Sequence, residues 1–464
     1  MSFCTTNAGA RRGLQAIVAG CLLFTSAFAT TVHAASASYP SGWIDAPAAD
    51  ARLTGTNATI NGWALDAGAT TGTGVDHVDM YLDGTYVGPA TYGDSRPDMA
   101  SAFGAQFQYS GYHSSVDLSG LSGGAHTIEM RAHSVISGQP TSSTRSVSVV
   151  KPLAFGVNAH LMWYGLDQAT NDLDRVQAAG LTQVRFDLYW SSIEPSMKGQ
   201  YDQAYLAKLD GVVAAARARG ITSTMAVLGT PGWARANVGS VMTPPTNPSD
   251  YGDVLAMLAR RYAGVPGVAY EIWNEPNQPQ FWNAPGGPNA GGYARLLQAA
   301  YPKIKSAAPS ARVLGGSIAF NDQSFITGMY SGGAKGNFDV LALHPYSLGY
   351  APTSTASAYE SYALALETMH ATLVSVGDPN KPIWITESGW STKDVSDATR
   401  ASYVQQAVGL LPATFPYVES YQAYALNQAE DMPDMGLTSG SGVPTQTWTA
   451  YISSVKGAVA AREL

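Results

Sequence analysis

Apolar and polar positions alternate with a period of two between Trp43 and Val150. The alternation is clearest in Ala58–Leu65 and in Val78–Leu82, and Asp83-Gly84 follows the second segment. Successive side chains of a β-strand point to opposite faces, and Asp-Gly supplies the positive-φ residues of a tight hairpin turn. We therefore predict that Val78–Leu82 and Thr85–Ala90 form a hairpin. The whole segment indicates a small antiparallel sandwich of immunoglobulin-like type without a helix of useful length.

The pattern changes after Lys151-Pro152 to apolar strands separated by amphipathic helices. The apolar runs are continuous and rich in β-branched residues, which is typical of parallel strands buried on both faces. The predicted strands are Ala154–Asn158, Gln183–Trp190, Thr222–Leu228, Val268–Trp273, Arg312–Ala319, Phe338–Leu343, Pro382–Thr386 and Val418–Leu426. The predicted helices include Asp202–Arg219, Asp250–Tyr262, Tyr293–Ala307, Ala358–Val376, Ala398–Leu411 and Gln446–Val459.

Eight strands, each followed by a helical segment, predict an α/β fold of the (β/α)8 TIM barrel type. A doubly wound sheet is the alternative, but no Gly-x-Gly-x-x-Gly motif follows the first strand. The predicted organisation is a signal peptide over residues 1–34, the sandwich over 35–150 and the barrel over 151–464. The sandwich is expected either to space the barrel from another structure or to bind carbohydrate.

Residues 1–34 have the pattern of a secretory signal peptide. Two arginines precede Ile17–Ala29, an apolar run too short to span a bilayer. Cleavage after Ala34 would remove Cys4 and Cys21, the two cysteines of the chain, and would leave a secreted or periplasmic protein without disulfides. The alternative is a lipobox formed by Val-Ala-Gly before Cys21, in which case a lipid on this cysteine would anchor the protein to a membrane.

Composition excludes two broad classes of protein. Charged residues make up 13% of the 464 residues, about half of the usual roughly 25%, while 45% are hydrophobic. This balance is opposite to that of an intrinsically disordered chain. The formal net charge of -8 argues against a nucleic-acid partner, which requires basic patches. We expect a folded monomer.

Two glutamates follow predicted barrel strands, at the end where barrel enzymes place their chemistry. Glu275 comes after strand four in the run Trp273–Pro276, and Glu387 ends strand seven in the run Thr386–Trp390. Glycosidic cleavage requires one protonated carboxyl group as acid and a second, ionised one, often beside aromatic side chains. The competing interpretation is a pair of loop carboxylates that cap the next helices.

These two motifs resemble those of retaining glycoside hydrolases of clan A, which are barrel enzymes with catalytic Glu residues on strands four and seven. The likeness covers residues 154–464, because Phe155–Asn158, Val184–Asp187 and His344–Tyr346 also fall on matching strands. The family that looks most similar is glycoside hydrolase family 39, judged by the segments Glu271–Asn277 and Ser191–Glu194.

The resemblance implies a role for each residue of the two motifs. Glu275 would be the general acid/base, Glu387 the nucleophile, and Asn274 a hydrogen-bonding partner of the sugar 2-hydroxyl. The expected activity is hydrolysis of a polysaccharide or oligosaccharide, β-linked, by double displacement. A retaining enzyme of this kind places its carboxyl groups about 5–5.5 Å apart, whereas about 6.5–9.5 Å is typical of inversion.

Four further residues are expected to contact substrate or support the carboxylates. Arg185 lies inside an apolar strand and needs a buried partner, either the nucleophile or another barrel acid such as Asp187. His344 and Tyr346 resemble the residues of clan A that support the nucleophile and contact sugar, although a buried structural histidine is the alternative for His344. His160, at the end of the first strand, is a similar case.

Aromatic side chains after strand ends are candidates for stacking on sugar rings, and about half are expected to line the cleft. Substrate contacts are predicted from Trp190, Trp233, Trp282 and Trp390, with Trp163 also in such a loop. Clan A barrels usually carry a Trp at the end of strand eight, but this chain has Tyr424–Gln428 there. Sugar contacts in its place are expected from Asn427, Gln428, Glu430 or Asp431.

No metal or cofactor is expected. No His-x-His opens the first strand, and Asp76, Asp79, Asp94 and Asp98 lack the spacing of a calcium loop. Two other functions stay open from the sequence: a polysaccharide-binding protein with an inactive barrel, and a metal-dependent carbohydrate esterase or deacetylase.

Overall fold

The computed structural model describes residues 40–463 except 237–238, 429–433 and 440–441. The predicted signal peptide with its two cysteines lies outside the described residues, as do Glu430 and Asp431. Within the described ranges, no helix is long and apolar enough to cross a membrane.

The N-terminal part is a sandwich of two sheets, as predicted. In the described chain, one sheet has the strand order β1-β3-β7-β6 and the other β2-β9-β8-β4-β5. Their side chains alternate between the interior and solvent, which accounts for the period of two in the sequence. The strands are β1 Ser41–Ala46, β2 Ala51–Thr54, β3 Asn57–Leu65, β4 Val75–Leu82, β5 Thr85–Pro89, β6 Thr91–Asp94, β7 Gly111–Asp117, β8 Gly124–Ser134 and β9 Pro140–Val150.

The predicted hairpin is confirmed, because β4 and β5 pair antiparallel around Asp83-Gly84. Two details of the sandwich differ from the prediction. Strand β2 pairs parallel with β9, so the sheets are not purely antiparallel. A seven-residue helix, α1 (Pro97–Phe103), and a single 3-10 turn follow β6, and the proline at the helix start supplies the required φ.

The barrel is also confirmed, since eight parallel strands in the described part of the chain close on one another with β17 beside β10. Nearly every strand residue is buried, which explains the continuous apolar runs. The strands are β10 Ala154–Asn158, β11 Gln183–Tyr189, β12 Thr222–Leu228, β13 Val268–Ile272, β14 Arg312–Ala319, β15 Val340–His344, β16 Ile383–Ser388 and β17 Val418–Ala423.

Helices outside the barrel cover the strands and keep their apolar faces inward. Several begin at a side-chain cap, such as Asp202, Asn289 and Ser396, which accept hydrogen bonds from backbone N–H groups of the first turn. The helices are α2 Leu166–Ala178, α3 Trp190–Ile193, α4 Gln203–Ala218, α5 Pro248–Arg261, α6 Ala290–Ala307, α7 Gln323–Ser331, α8 Tyr362–Ser375, α9 Asp397–Leu410 and α10 Gln446–Glu463.

The join between sandwich and barrel is short and hydrogen-bonded on both sides. Strand β9 ends at Val150 and β10 begins at Ala154, and Lys151-Pro152 lies between these two strands. Arg462 Nε on the last helix donates to Lys151 O at 3.1 Å, and Arg52 of the sandwich donates to Arg462 O at 2.9 Å. The last helix therefore packs against the connection between the two domains.

Candidate active site

Glu275 and Glu387 face one cavity at the C-terminal ends of the barrel strands. The cavity measures about 560 Å³, within the range of small-molecule sites, and both glutamates line it. One carboxylate oxygen of each lies within 4.8 Å of the other, with His344 as close to both. These two oxygens are therefore closer together than the about 6.5–9.5 Å between the carboxyl groups of inverting glycosidases.

The backbone around the first glutamate is held in an uncommon conformation. Trp273 and Glu275 have positive φ angles of 68° and 39°, a region that non-glycine residues seldom occupy. Trp273 is anchored there because its backbone N–H donates to Val227 O at 3.0 Å and its indole Nε1 donates to Phe281 O at 2.6 Å. Strained residues of this kind are concentrated at functional sites, where the surrounding structure maintains them.

Arg185 is the centre of a buried set of hydrogen bonds beneath the cavity. It is 1% exposed and donates to Glu387 Oε1 at 2.6 Å and to Glu271 Oε2 at 2.5 Å. It also donates to Asn158 Oδ1 at 2.8 Å and to Asn274 Oδ1 at 2.7 Å. The expected pairing with Glu387 is thus present together with a second buried acid. Direct substrate contact by Arg185 is not supported, because it lies below the cavity wall.

His344 lies between the two glutamates and is fully buried. Its Nδ1 is 2.9 Å from Glu275 Oε1 and 3.6 Å from Glu387 Oε2, while its Nε2 is 3.0 Å from Thr386 Oγ1. Burial alone would lower the pKa of His344, but the surrounding carboxylates raise it to about 9. The imidazolium formed at neutral pH has no free lone pair, so this trio of side chains is poorly suited to a metal ion.

Glu271 and Glu387 have opposite pKa shifts although both bind Arg185. Burial would raise the pKa of Glu271, but the positive charges of Arg185 and His344 outweigh it and lower the value to about 2. Burial raises the pKa of Glu387, and the negative charge of Glu275 acts in the same direction, against His344 and Arg185. Arg185 therefore offsets the burial of Glu387 only in part, and the sequence-based idea that it keeps this group ionised was incomplete.

Three of the residues predicted to contact substrate, Tyr346, His160 and Asn274, line the cavity. Tyr346 donates its hydroxyl hydrogen to Glu387 Oε2 at 2.8 Å. His160 stacks on Trp163 with ring centroids 4.1 Å apart, and 41% of the Trp163 surface is exposed. These aromatic side chains form part of the cavity wall, together with apolar residues such as Phe281 and Phe320. His344 does not reach the cavity and acts on it only through Glu275 and Glu387.

The four predicted tryptophan contacts are wrong. Trp190, Trp282 and Trp390 are 0%, 3% and 2% exposed, and Trp233 is half-buried. None of them lines the cavity, because each packs behind its loop; Trp190 Nε1, for example, donates to Glu194 Oε2 at 2.7 Å. The tryptophan that does reach the cavity is Trp163.

The end of strand eight also differs from expectation. Tyr424 lines the cavity at the position where clan A usually has Trp. Asn427 points away from it, since Nδ2 donates to Asp172 Oδ2 at 2.9 Å and Oδ1 accepts from Arg175 at 2.9 Å. Gln428 is exposed outside the cavity wall. Asn427 and Gln428 are therefore not the replacements for the missing tryptophan.

Sequence reasoning missed Glu271 as a member of the site. Glu271 is a charged residue within the buried strand Val268–Ile272, which is the same signal that indicated a buried partner for Arg185. The same reasoning for Glu271 would have predicted that the two residues form an ion pair. Asp187 and Tyr189, at the end of β11, also line the cavity. Only their position at a strand end could have indicated this.

Two family models match parts of this chain. Residues 141–422 match the family described as Cellulase (glycosyl hydrolase family 5), and residues 40–130 match a bacterial Ig domain. A curated β-xylosidase from Geobacillus stearothermophilus is 22% identical over 241 residues, which are 45% of this chain and 46% of that protein. The match thus spans under half the length of this relative.

Solved structures share the fold. A family 39 glycoside hydrolase from Bacteroides cellulosilyticus WH2 superposes with a TM-score of 0.53 at 18% identity, covering 87% of this chain and 81% of that one. An exo-β-1,4-mannosidase from Opitutaceae bacterium strain TAV5 superposes with a TM-score of 0.53 at 15% identity, covering 68% and 60%.

The barrel, its paired glutamates and the family match define a glycoside hydrolase of the retaining clan A. The sequence-based identification of the clan is confirmed. By the match over residues 141–422, the chain belongs to the cellulase family, glycosyl hydrolase family 5.

Proposed function

We propose that Glu275 is the general acid/base and Glu387 the nucleophile of a double displacement on a β-linked saccharide. The observation that carries this assignment is the hydrogen bonding of the two carboxylates. Both oxygens of Glu387 accept hydrogen bonds, from Arg185 and Tyr346, which suits an ionised group. Glu275 contacts His344 through Oε1, and its side chain lines the cavity, where it can reach a glycosidic oxygen.

The reaction then follows from these positions. Glu275 gives its proton to the glycosidic oxygen as Glu387 attacks the anomeric carbon, so the leaving alcohol departs and a covalent glycosyl-enzyme forms. The ionised Glu275 next removes a proton from water, which attacks the same carbon and releases Glu387. The two steps together return both carboxyl groups to their starting protonation, and the two inversions give net retention.

Asn274 is oriented for the sugar 2-hydroxyl by its own hydrogen bond. Its Oδ1 accepts from Arg185 at 2.7 Å, so the amide is fixed with Nδ2 as the group available to donate into the cavity. A donor at this position stabilises charge that develops on the sugar in the transition state. Arg185 thereby positions both the nucleophile and the residue next to the acid.

An aryl glycoside with a good leaving group separates the two roles. Glu275→Gln keeps the first step, because such a leaving group needs no proton, and should accumulate the glycosyl-enzyme, visible as an added sugar mass on the intact protein. Glu387→Gln should form no adduct. Both should lose about 10²–10⁴-fold in kcat on a natural glycoside.

Glu367→Gln is the matched control, because it makes the same change at an exposed position of α8 and should retain activity. An adduct on Glu387→Gln, or near-normal turnover by either cavity variant, would contradict the assignment.

For the substrate, we propose a β-linked xylo- or manno-oligosaccharide. The support is the β-xylosidase relative and the exo-β-1,4-mannosidase neighbour, together with an acidic, aromatic cavity wall suited to a neutral sugar. A panel of β-xylo-, β-manno- and β-gluco-oligosaccharides with mass-spectrometric product analysis tests this. Faster cleavage of the gluco series than of the other two would overturn it.

We also propose that the protein is secreted as a monomer after cleavage behind Ala34. The basic N-terminus and the short apolar run support this. Intact mass of the protein recovered outside the cytoplasm should correspond to a chain that begins at Ala35, and its light-scattering mass to one copy. A lipidated chain that begins at Cys21 would instead establish membrane anchoring.

A further inference from the structure

A cluster of two histidines and one aspartate lies on the exposed face of the sandwich, far in sequence from the glutamates of the barrel. Asp76 Oδ1 is 2.8 Å from His77 Nδ1 and 2.9 Å from His133 Nδ1. One ligand atom from each of the three residues lies within 4.8 Å of the others. The side chains are 46%, 50% and 37% exposed, in the order Asp76, His77, His133.

A β-bulge brings these side chains together. Val75 pairs with Ser134 and His77 with His133, so Asp76 is an extra residue on its strand. Neighbours on a regular strand point to opposite faces, but here Asp76 and His77 are both exposed between buried positions. A bulge redirects a side chain in this way at functional positions. His133 completes the group from the adjacent strand, with its ring stacked on His77 at 5.1 Å.

We infer that Asp76, His77 and His133 form a binding site for a divalent transition-metal ion of the Zn²⁺ class. Two imidazoles and a carboxylate are ligands that Zn²⁺ prefers, whereas Ca²⁺ requires six or more oxygens. A tetrahedral ion with bonds of about 2.0–2.1 Å holds its ligand atoms roughly 3.3 Å apart, near the spacing found here. Asp79 Oδ2, 4.0 Å from His77 Nε2, adds negative charge beside the site.

Calorimetric titration of the full chain with ZnCl₂ tests the inference. Wild type should show one saturable site that CaCl₂ does not reproduce, and His133→Ala should bind at least tenfold more weakly. The matched control is His113→Ala, because His113 is also exposed and paired with an aspartate, Asp94, at 2.6 Å, but belongs to no group of three possible ligands among the described residues. It should bind like wild type.

A spectroscopic measurement locates the ion independently. Co²⁺ added to wild type should give the visible absorption of a four-coordinate nitrogen and oxygen site, and this should be absent from His133→Ala and from His77→Ala. Glycosidase turnover without metal should be equal in all variants, which shows that they are folded. The proposal would be overturned if wild type and His133→Ala bound Zn²⁺ with equal affinity, or if His113→Ala lost as much Zn²⁺ affinity as His133→Ala. Zn²⁺ binding that inhibits turnover would also overturn it.

Discussion

Replacing Glu271 by Gln removes one negative charge from the buried group under the cavity while keeping the side-chain shape. Glu271 is fully buried and accepts hydrogen bonds from Arg185 Nε, Ser317 Oγ and Thr386 Oγ1, at 2.5, 2.6 and 2.9 Å. A glutamine amide has one acceptor oxygen and one NH₂ group with two N–H donors, so this NH₂ group must face at least one of the three donors around Glu271. The variant therefore has an unsatisfied buried group and a less compensated Arg185.

The size of the effect follows from the pKa of Glu271. The pKa falls from the ordinary 4.5 to about 2, which corresponds to roughly 3 kcal/mol of stabilisation at about 1.36 kcal/mol per pH unit. Breaking one partner of a buried ion pair typically costs about 3–5 kcal/mol, in agreement. Because the folded pKa is lowered, this stability is present above pH 4.5 and is lost as the pH falls through 2.

The free energies of unfolding of wild type and Glu271→Gln, measured with urea at pH 7, should therefore differ by roughly 3 kcal/mol. This difference should become smaller below pH 4.5. Removing the negative charge should also lower the pKa of Glu387, so the acidic limb of kcat/KM should move to lower pH. Glu367→Gln on the exposed side of α8 should change neither quantity. A variant as stable as wild type at pH 7, or an acidic limb that moves upward, would refute the reasoning.

Three further outcomes follow from the same contacts. Tyr346→Phe removes the hydroxyl that donates to Glu387, so the raised pKa of this carboxyl should rise further. The acidic limb of kcat/KM plotted against pH should then shift up by about one pH unit, and an unchanged profile contradicts this. Because the pKa of His344 is raised to about 9, its charge should stabilise the folded state fully below pH 6.5, and this stabilisation should be lost as the pH rises through 9. The unfolding midpoints of wild type and His344→Gln should therefore converge between pH 6.5 and 9 and not below pH 6.5. Trp163→Ala should raise KM with little change in kcat, because Trp163 is exposed. Trp282→Ala should lower the free energy of unfolding by about 3–5 kcal/mol without a change in KM, because Trp282 is buried. Loss of stability without a change in KM in Trp163→Ala would show that Trp163 is structural.

The fold was predictable because its signals are local. Period-two alternation, the Asp83-Gly84 turn and eight continuous apolar runs each depend on neighbours in the chain, and the corresponding strands form as predicted. The parallel pairing of β2 with β9 was not predictable, because it joins residues nearly a whole domain apart.

The site was predictable only where position in the chain dictates position in space. Glu275 and Glu387 follow barrel strands, and every strand of a barrel ends at the same face. The tryptophans lie in the segments that follow barrel strands, and the course of these segments depends on packing, so the orientation of the side chains could not be inferred. The sequence analysis predicted substrate contacts from Trp190, Trp282 and Trp390, but these three side chains are buried.

By itself, the sequence determined the barrel, the sandwich and the two glutamates, because periodicity and strand ends are properties of short segments. The tertiary structure decided how the charges are arranged. Arg185 and Glu387 are 202 positions apart, and their contact, like the place of His344 between two carboxylates, exists only after the barrel closes. The bulge that joins Asp76 to His77 and His133 depends likewise on pairing with a second strand. Distances across strands set these interactions, and spacing along the chain does not encode them.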